Sequence, residues 1–275
     1  MKTINCKGTL IDHSVPKVMG IINVTPDSFF DGGKTTIQAD IVSRASSLLA
    51  EGATFLDVGG YSSRPGALEV SEREELDRVI PAIESIIAKF PKALISIDTF
   101  RSSVAKKAIE AGACMVNDIS GGQADPDMLP LVGKLKVPYV LMHMRGTPQT
   151  MEAESNYDNV TRELISFFSE RLAAARKAGI NDVILDPGFG FAKNHEQSFE
   201  LLNNLDLFDV LDAPLLVGIS RKSMIYKTLD ATPAEALNGT TALNSIALLK
   251  GASILRVHDV KEAAECVKLI QKVLS

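Results

Sequence analysis

Eight short apolar runs, separated by amphipathic stretches, restrict what this chain can fold into more than any other feature. They read VMGIINV, TFLDVGG, ALISIDT, CMVNDIS, PYVLMHM, VILDPGF, PLLVGIS and SILRVHD. Each is nearly continuous in apolar and β-branched residues, the pattern of a strand buried on both faces. Such strands belong to parallel sheets, whose crossovers are helices. The intervening stretches have helical spacing: Ile41, Ala45, Leu48 and Leu49; Leu76, Val79, Ile80, Ile83, Ile86 and Ile87; Val160, Leu164, Phe168, Leu172 and Ala175. Eight such units in 275 residues match an α/β fold of one kind, a single (β/α)8 TIM barrel. An open doubly wound sheet is the structural rival. The lack of a GxGxxG turn and the polar residues at almost every strand end favour closure. Residues 1–16 fit no βα unit and are expected to form a short N-terminal β-hairpin under the barrel, with residues 1–275 making one domain.

Glycines punctuate the pattern. Gly52, Gly112, Gly179 and Gly251 each stand where a helix stops before a strand, a position that suits a left-handed C-cap. Five residues past three of them lie Asp57, Asn117 and Arg256; Asp186 lies seven past Gly179. A polar group in a buried strand is costly unless it is paired or reaches a wet cavity. The C-terminal mouth of a barrel is such a cavity, and active sites of this fold lie there.

Composition narrows the chemistry. A net charge of -5 gives no general attraction to nucleic acid or an anionic membrane, so an anionic ligand needs local basic groups. Cys6, Cys114 and Cys266 form no CxxC pair, which argues against a disulfide framework or zinc knuckle. No apolar signal core opens the chain and no run of about 18 apolar residues occurs. A soluble, cytoplasmic protein is expected.

Several residue groups then call for a ligand. Arg256 and His258 are two apart, share one side of a strand and suit a phosphate or diphosphate; a structural ion pair beside a core histidine fits equally well. Asn23, ending the first strand, offers an amide oxygen to Mg²⁺ held by phosphate, or is a turn residue. Asp98, Asn117 and Asp186 bring acceptors and one amide toward a common centre, a set that can read the edge of a flat heterocycle; each singly fits a satisfied structural polar group as well. SRKSMI, residues 220–225, opens a helix after the seventh strand. There Lys222 can donate into the barrel and Ser223 lies where backbone N–H groups favour a carboxylate; a plain N-cap is the alternative. His143 and Arg145, in MHMRGTP, suit a core or loop role as well as catalysis. Residues 25–38 and 61–72 read as long loops at the functional face, candidate lids that carry Phe29, Asp31 and Arg64, with passive surface loops as the alternative. No nucleophile–base pair, HExxH, GxSxG or P-loop appears, so positioning and leaving-group stabilisation fit better than covalent catalysis.

Taken together, MGIINVTPDSFFDGG, DVGGYSSRPGA, ISIDTFR, VNDISGG, MHMRGTP, DPGFGFAK, GISRKSMI and LRVHD resemble, in order and over essentially the whole chain, the dihydropteroate synthase family. The resemblance implies a transferase of folate biosynthesis. Such an enzyme joins 6-hydroxymethyl-7,8-dihydropterin diphosphate to p-aminobenzoate, releases diphosphate and is the target of sulfonamides. It implies a pterin pocket at Asp98, Asn117, Asp186 and Lys222, and a diphosphate site at Asn23, Arg256 and His258 with the Val257 backbone. Asn23 matches the Mg²⁺ ligand. The p-aminobenzoate site falls on Phe29, Ser63, Arg64, Pro65 and Ser223, with Asp31 and Arg64 near the diphosphate when the loops order. Asp98, Lys222, Arg256, His258, Asp31 and Arg64 are the implied catalytic set, and a homodimer through the last helices is the implied assembly; Ile246, Leu248, Leu249, Val267 and Ile270 are apolar candidates for it, or simply face the barrel. The chain departs from the family pattern at Tyr61 and Ser63, where Glu and Thr are frequent, and at Phe30. A corrinoid-dependent pterin methyltransferase would share the Asp and Asn contacts without needing SSRPG, SRKS or the Arg256–His258 pair. A non-catalytic paralogue should have lost lid or diphosphate residues, and all are present. Diphosphate release that depends on p-aminobenzoate and Mg²⁺ separates both from the main reading.

Overall fold

The computed structural model describes residues 3–24, 34–61, 70–147 and 149–275, the side chains of 34–37 and 152 excepted. The eight apolar runs become eight parallel strands: β3 (Lys17–Asn23), β4 (Phe55–Gly59), β5 (Leu94–Asp98), β6 (Met115–Asp118), β7 (Tyr139–Met142), β8 (Val183–Asp186), β9 (Leu216–Val217) and β10 (Ile254–Val257). They pair in the order β8-β7-β6-β5-β4-β3-β10-β9, and a bridge from Leu185 to Leu215 joins the two ends. The sheet is therefore a nearly closed barrel, not an open one. Helices α1 (Lys34–Glu51), α2 (Glu72–Lys89), α3 (Ser102–Ala111), α4 (Met128–Leu135), α5 (Val160–Lys177), α6 (His195–Asn203), α7 (Ser223–Tyr226), α8 (Leu237–Leu249) and α9 (Val260–Leu274) follow the strands.

Side chains alternate across each strand, and this sorts the interior. Leu56, Val58, Ile95, Ile97, Val116, Leu141, Leu185, Val217, Leu255 and Val257 face outward into one core with the helices, against Ile41, Leu48, Val79, Ile83, Phe168 and Leu172. Met19, Phe55, Met115, Val140, Ile184, Leu216 and Ile254 face inward and fill the lower barrel. Two residues further along, the inward positions turn polar: Asp57, Ser96, Asn117, Asp186 and Arg256. The lower layer is the seal and the upper layer is the mouth.

The N-terminal hairpin closes the bottom. Strands β1 (Thr3–Cys6) and β2 (Thr9–Asp12) pair antiparallel around Lys7 and Gly8, both at positive φ. Ile4 and Cys6 insert among the lower inward residues, and Asn5 N–H donates to Asp182 Oδ2 at 3.0 Å. The four helix-terminating glycines all take positive φ, for instance 120° at Gly112.

Two expectations need correction. Residues 34–38 are the first turn of α1 rather than loop. The seventh strand shrinks to Leu216–Val217 because Pro214 has no N–H to donate and the chain turns again at 219–222, where Lys222 N–H bonds Ile219 O and Arg221 takes a φ of 55°. Of the proposed subunit-contact residues, Leu248 and Val267 face the core, whereas Ile246 and Leu249 are exposed. The three cysteines are free and buried. Among the described residues no helix is long and apolar enough to cross a membrane.

Candidate active site

The polar inward layer meets at the mouth as one connected network. Arg256 Nε donates to Asp57 Oδ2 at 2.6 Å and its NH2 group donates to Asp98 Oδ2 at 2.7 Å. Asn117 Nδ2 donates to the same Asp57 oxygen at 3.0 Å. Strands β4, β5, β6 and β10 are thus tied by three hydrogen bonds, each spanning the barrel interior. Gly59 makes room for Asp98: a Cβ there would stand 3.3 Å from the Asp98 Cβ and 3.6 Å from its Oδ2.

On the opposite wall Asp186 Oδ1 accepts from Gly188 N–H at 2.8 Å. Gly188 sits at φ 68°, where a Cβ would be 2.2 Å from His143 O, so the turn admits no side chain. Lys222 Nζ donates to Phe189 O and lies 4.7 Å above the Phe191 ring. This pairs a cation with an aromatic wall beside Asp186.

Burial sets the electrostatics. It pushes the Asp98 carboxyl up to about 7, with Arg256 opposing and Asp57 adding to the rise. It also raises Asp186, against Lys222, and lowers the Lys222 ammonium to about 8, against Asp186. For Arg256 burial lowers the pKa, but the Asp57 and Asp98 carboxylates outweigh it and hold the guanidinium charged. The mouth is a set of opposed charges in low dielectric, with two groups poised near neutrality.

His258 lies just past β10. Its Nδ1 is 3.0 Å from Ser220 Oγ, and its backbone N–H donates to that oxygen at 3.2 Å. Its ring therefore leans toward the end of β9, while Arg256 reaches across to β4 and β5; the two share a side of the chain but part in direction. Ser223 is half-buried at the start of α7. Asn23 is half-buried at the end of β3, in register with Gly59. Val257 turns its side chain outward into the helical layer, so only its backbone borders the mouth. Phe29, Phe30, Asp31, Ser63, Arg64 and Pro65 lie outside the described residues. The ends of the second loop are described. Tyr61 packs edge-on against Phe100 at 5.1 Å, accepts from Gln149 Nε2 at 3.1 Å and lies 5.6 Å from the Arg101 guanidinium, which also donates to Val70 O.

His143 and Arg145 take supporting positions. His143 is buried edge-on against Phe167, and burial, then Lys193, lowers its pKa to about 2. Arg145 pairs with Glu163 and stacks on Tyr157. Lys193, which sequence reasoning passed over, is buried with its Nζ bonded to Gly188 O, Phe191 O and His143 Nδ1 at 3.0, 2.8 and 3.0 Å. Asp57, Phe191 and Ser220 were also given no role from sequence. Only Asp57 carried a signal, its place five residues past Gly52, matching Asn117 and Arg256.

Residues 19–258 match the profile of the pterin binding enzymes. The sequence is 45% identical over 271 residues to the dihydropteroate synthase of Escherichia coli K12, covering 98% of this chain and 95% of that one. The chain belongs to the dihydropteroate synthase family. The fold follows its members closely. The Yersinia pestis dihydropteroate synthase, solved with a sulfonamide drug, superposes with a TM-score of 0.92 at 41% identity over 99% of both chains. The Xanthomonas albilineans dihydropteroate synthase, solved in complex with 7,8-dihydropteroate, superposes with a TM-score of 0.89 at 38% identity over 99% of both.

Proposed function

We propose that this chain condenses 6-hydroxymethyl-7,8-dihydropterin diphosphate with p-aminobenzoate, giving 7,8-dihydropteroate and diphosphate. The observation that carries the reading is the direct contact between Asp98 and Arg256 at the barrel mouth. It brings a carboxylate suited to a heterocycle's N–H groups against a guanidinium suited to diphosphate, in a chain of this family.

In this assignment Asp98, Asn117 and Asp186 accept from the ring's N–H groups, and Lys222 donates to its acceptors. Phe191 and the Lys222 stem wall the p-aminobenzoate side, with Ser223 toward its carboxylate and Phe29, Ser63, Arg64 and Pro65 completing it from the loops. The diphosphate lies against Asn23, Arg256, His258 and the Val257 backbone. As the C–O bond to the pterin methylene breaks, its electron pair leaves on the diphosphate. Arg256 and His258 stabilise that charge, joined by Asp31 and Arg64, while the Asp98 and Asp186 carboxylates favour the positive charge left on the ring. The neutral arylamine nitrogen forms the new C–N bond and gives its proton to water. An aniline needs no strong base for this, which agrees with the lack of a nucleophile–base pair.

Among the described residues no three His, Cys, Asp or Glu side chains cluster as a metal cage. The donor set fits an ion carried mainly by substrate phosphate oxygens, with the Asn23 amide oxygen as its protein ligand, as Mg²⁺ prefers. Such an ion would neutralise charge on the departing diphosphate. Turnover is expected to stop with a chelator and return with Mg²⁺.

The same reading places the protein in the cytoplasm, makes residues 1–275 one catalytic domain and makes sulfonamides competitors of p-aminobenzoate. It also implies a homodimer through α8 and α9, where Ile246, Leu249, Leu269 and Val273 are exposed. The test is direct. The purified protein, given pterin diphosphate, Mg²⁺ and p-aminobenzoate, should release diphosphate and form dihydropteroate in equal amounts. Diphosphate release indifferent to p-aminobenzoate would refute it.

A further inference from the structure

Asp57 lies in the middle of β4, opposite Ile21 on β3 and Ser96 on β5, and is completely buried. A buried carboxylate is a standing cost unless it is paired and hydrogen-bonded, and an apolar residue would fill this layer without that cost. Two features show what the carboxylate accomplishes. Its Oδ2 is shared by two donors from distant strands, Asn117 Nδ2 and Arg256 Nε. Its Oδ1 is buried without a hydrogen-bond partner among the described residues, and the Arg256 guanidinium, 2.6 Å from its Oδ2, balances its charge.

Each contact has a directional consequence. An ionised carboxylate only accepts, so the Asn117 amide must turn its NH2 to Asp57. Its carbonyl oxygen is thereby turned away from Asp57, where it can accept from a ring N–H. With an apolar residue at 57 both amide orientations become accessible, and one of them opposes a donor with a donor. Arg256 is fixed in the same way. A guanidinium has five N–H donors; Asp57 takes the one on Nε and Asp98 takes one on NH2, which leaves three for a diphosphate. Because Asp57 is sealed below the mouth and Asp98 is partly exposed, the Asp57 contact persists when a ligand engages Asp98.

We infer that Asp57 is a positioning residue for the pterin diphosphate substrate: one buried oxygen fixes Asn117 for the ring and Arg256 for the diphosphate, locking the two halves of the site in register. This rests on the function proposed above. It assigns Asp57 no contact with the reacting atoms and predicts no effect on the p-aminobenzoate side.

Asp57→Asn is the test, because it keeps the side chain's shape and one acceptor but removes the counter-charge. Loss of one charge-assisted hydrogen bond at each half should raise KM for pterin diphosphate about 10- to 100-fold, with kcat lowered and KM for p-aminobenzoate unchanged. Calorimetric titration of the folded variant with 6-hydroxymethylpterin and, separately, with inorganic diphosphate and Mg²⁺ should show both affinities reduced. Wild-type affinities in a folded Asp57→Asn variant would overturn the assignment, as would failure of that variant to fold; either makes Asp57 a structural residue. If instead the wild-type protein makes no dihydropteroate while both ligands still bind Asp57→Asn weakly, the functional reading fails and the positioning role stands.

Discussion

Removing Arg256 exposes how much this site depends on one side chain. Its guanidinium donates at 2.6 Å to Asp57, whose side chain is 0% exposed, and at 2.7 Å to Asp98, which is 18% exposed. In Arg256→Ala, Asp98 can turn to water but Asp57 cannot. The stability cost is therefore set by one stranded buried carboxylate, about 3–5 kcal/mol. At about 2–4 °C per kcal/mol for a chain of this size, the melting temperature should fall by roughly 10 °C. Loss of charge stabilisation on the departing diphosphate should also lower kcat by about 10²–10³. Arg256→Lys returns the charge but, as a point donor, cannot span the two carboxylates as the fork does. It should recover more of the melting temperature than of the rate. Circular dichroism melts and a coupled diphosphate-release assay on the three proteins read both quantities. An Arg256→Ala protein that melts with the wild type and turns over at a similar rate would refute the argument.

Other consequences follow from the same geometry. With Asp98 held at about 7 and Lys222 at about 8, kcat/KM for pterin diphosphate should rise as Asp98 ionises and fall as Lys222 loses its proton, giving a narrow optimum between those values. Substrate ionisation is common to all variants, so the acidic limb should vanish in Asp98→Asn alone, and a limb kept there would remove Asp98 from the role. Lys193→Met leaves the buried Gly188 carbonyl and the part-buried Phe191 carbonyl without their Nζ donor and should cost about 1–3 kcal/mol. It should also weaken pterin binding, since that turn borders Asp186 and Lys222; an unchanged urea midpoint would contradict this. Tyr139→Phe removes the 2.6 Å bond to Asp118, whose carboxylate keeps Ser120 and Gly122 as donors. A loss of about 1–2 kcal/mol with unaltered kinetics is expected, because Asp118 is turned away from the mouth, and a changed KM would show coupling through β6.

The barrel was legible in sequence because fully buried parallel strands leave near-continuous apolar runs, and the glycines before them mark where each helix ends. Asp98, Asn117, Asp186 and Arg256 were legible for the complementary reason: a polar residue interrupting such a run needs a wet cavity or a partner. What sequence spacing does not encode is which of those residues touch. Asp57 and Asn117 are 60 positions apart and Asp57 and Arg256 are 199 apart, and only closure of the barrel joins them. Lys193 was hidden because a lysine in a loop motif looks solvated, and its acceptors come together only once the turn at 188–191 folds over His143. The divergence of His258 from Arg256 was masked by strand alternation, which stops applying one residue past β10. The sorting of the mouth into ring and diphosphate halves came from the family resemblance, not from spacing.

The structure of this protein with a non-hydrolysable pterin diphosphate analogue and Mg²⁺ tests the central claim most directly. The account predicts the ring edge within hydrogen-bond distance of Asp98, Asn117 and Asp186, with Lys222 against it and the diphosphate against Asn23, Arg256 and His258, while Arg256 Nε stays on Asp57. An analogue bound in the opposite sense, or outside the mouth, would contradict it.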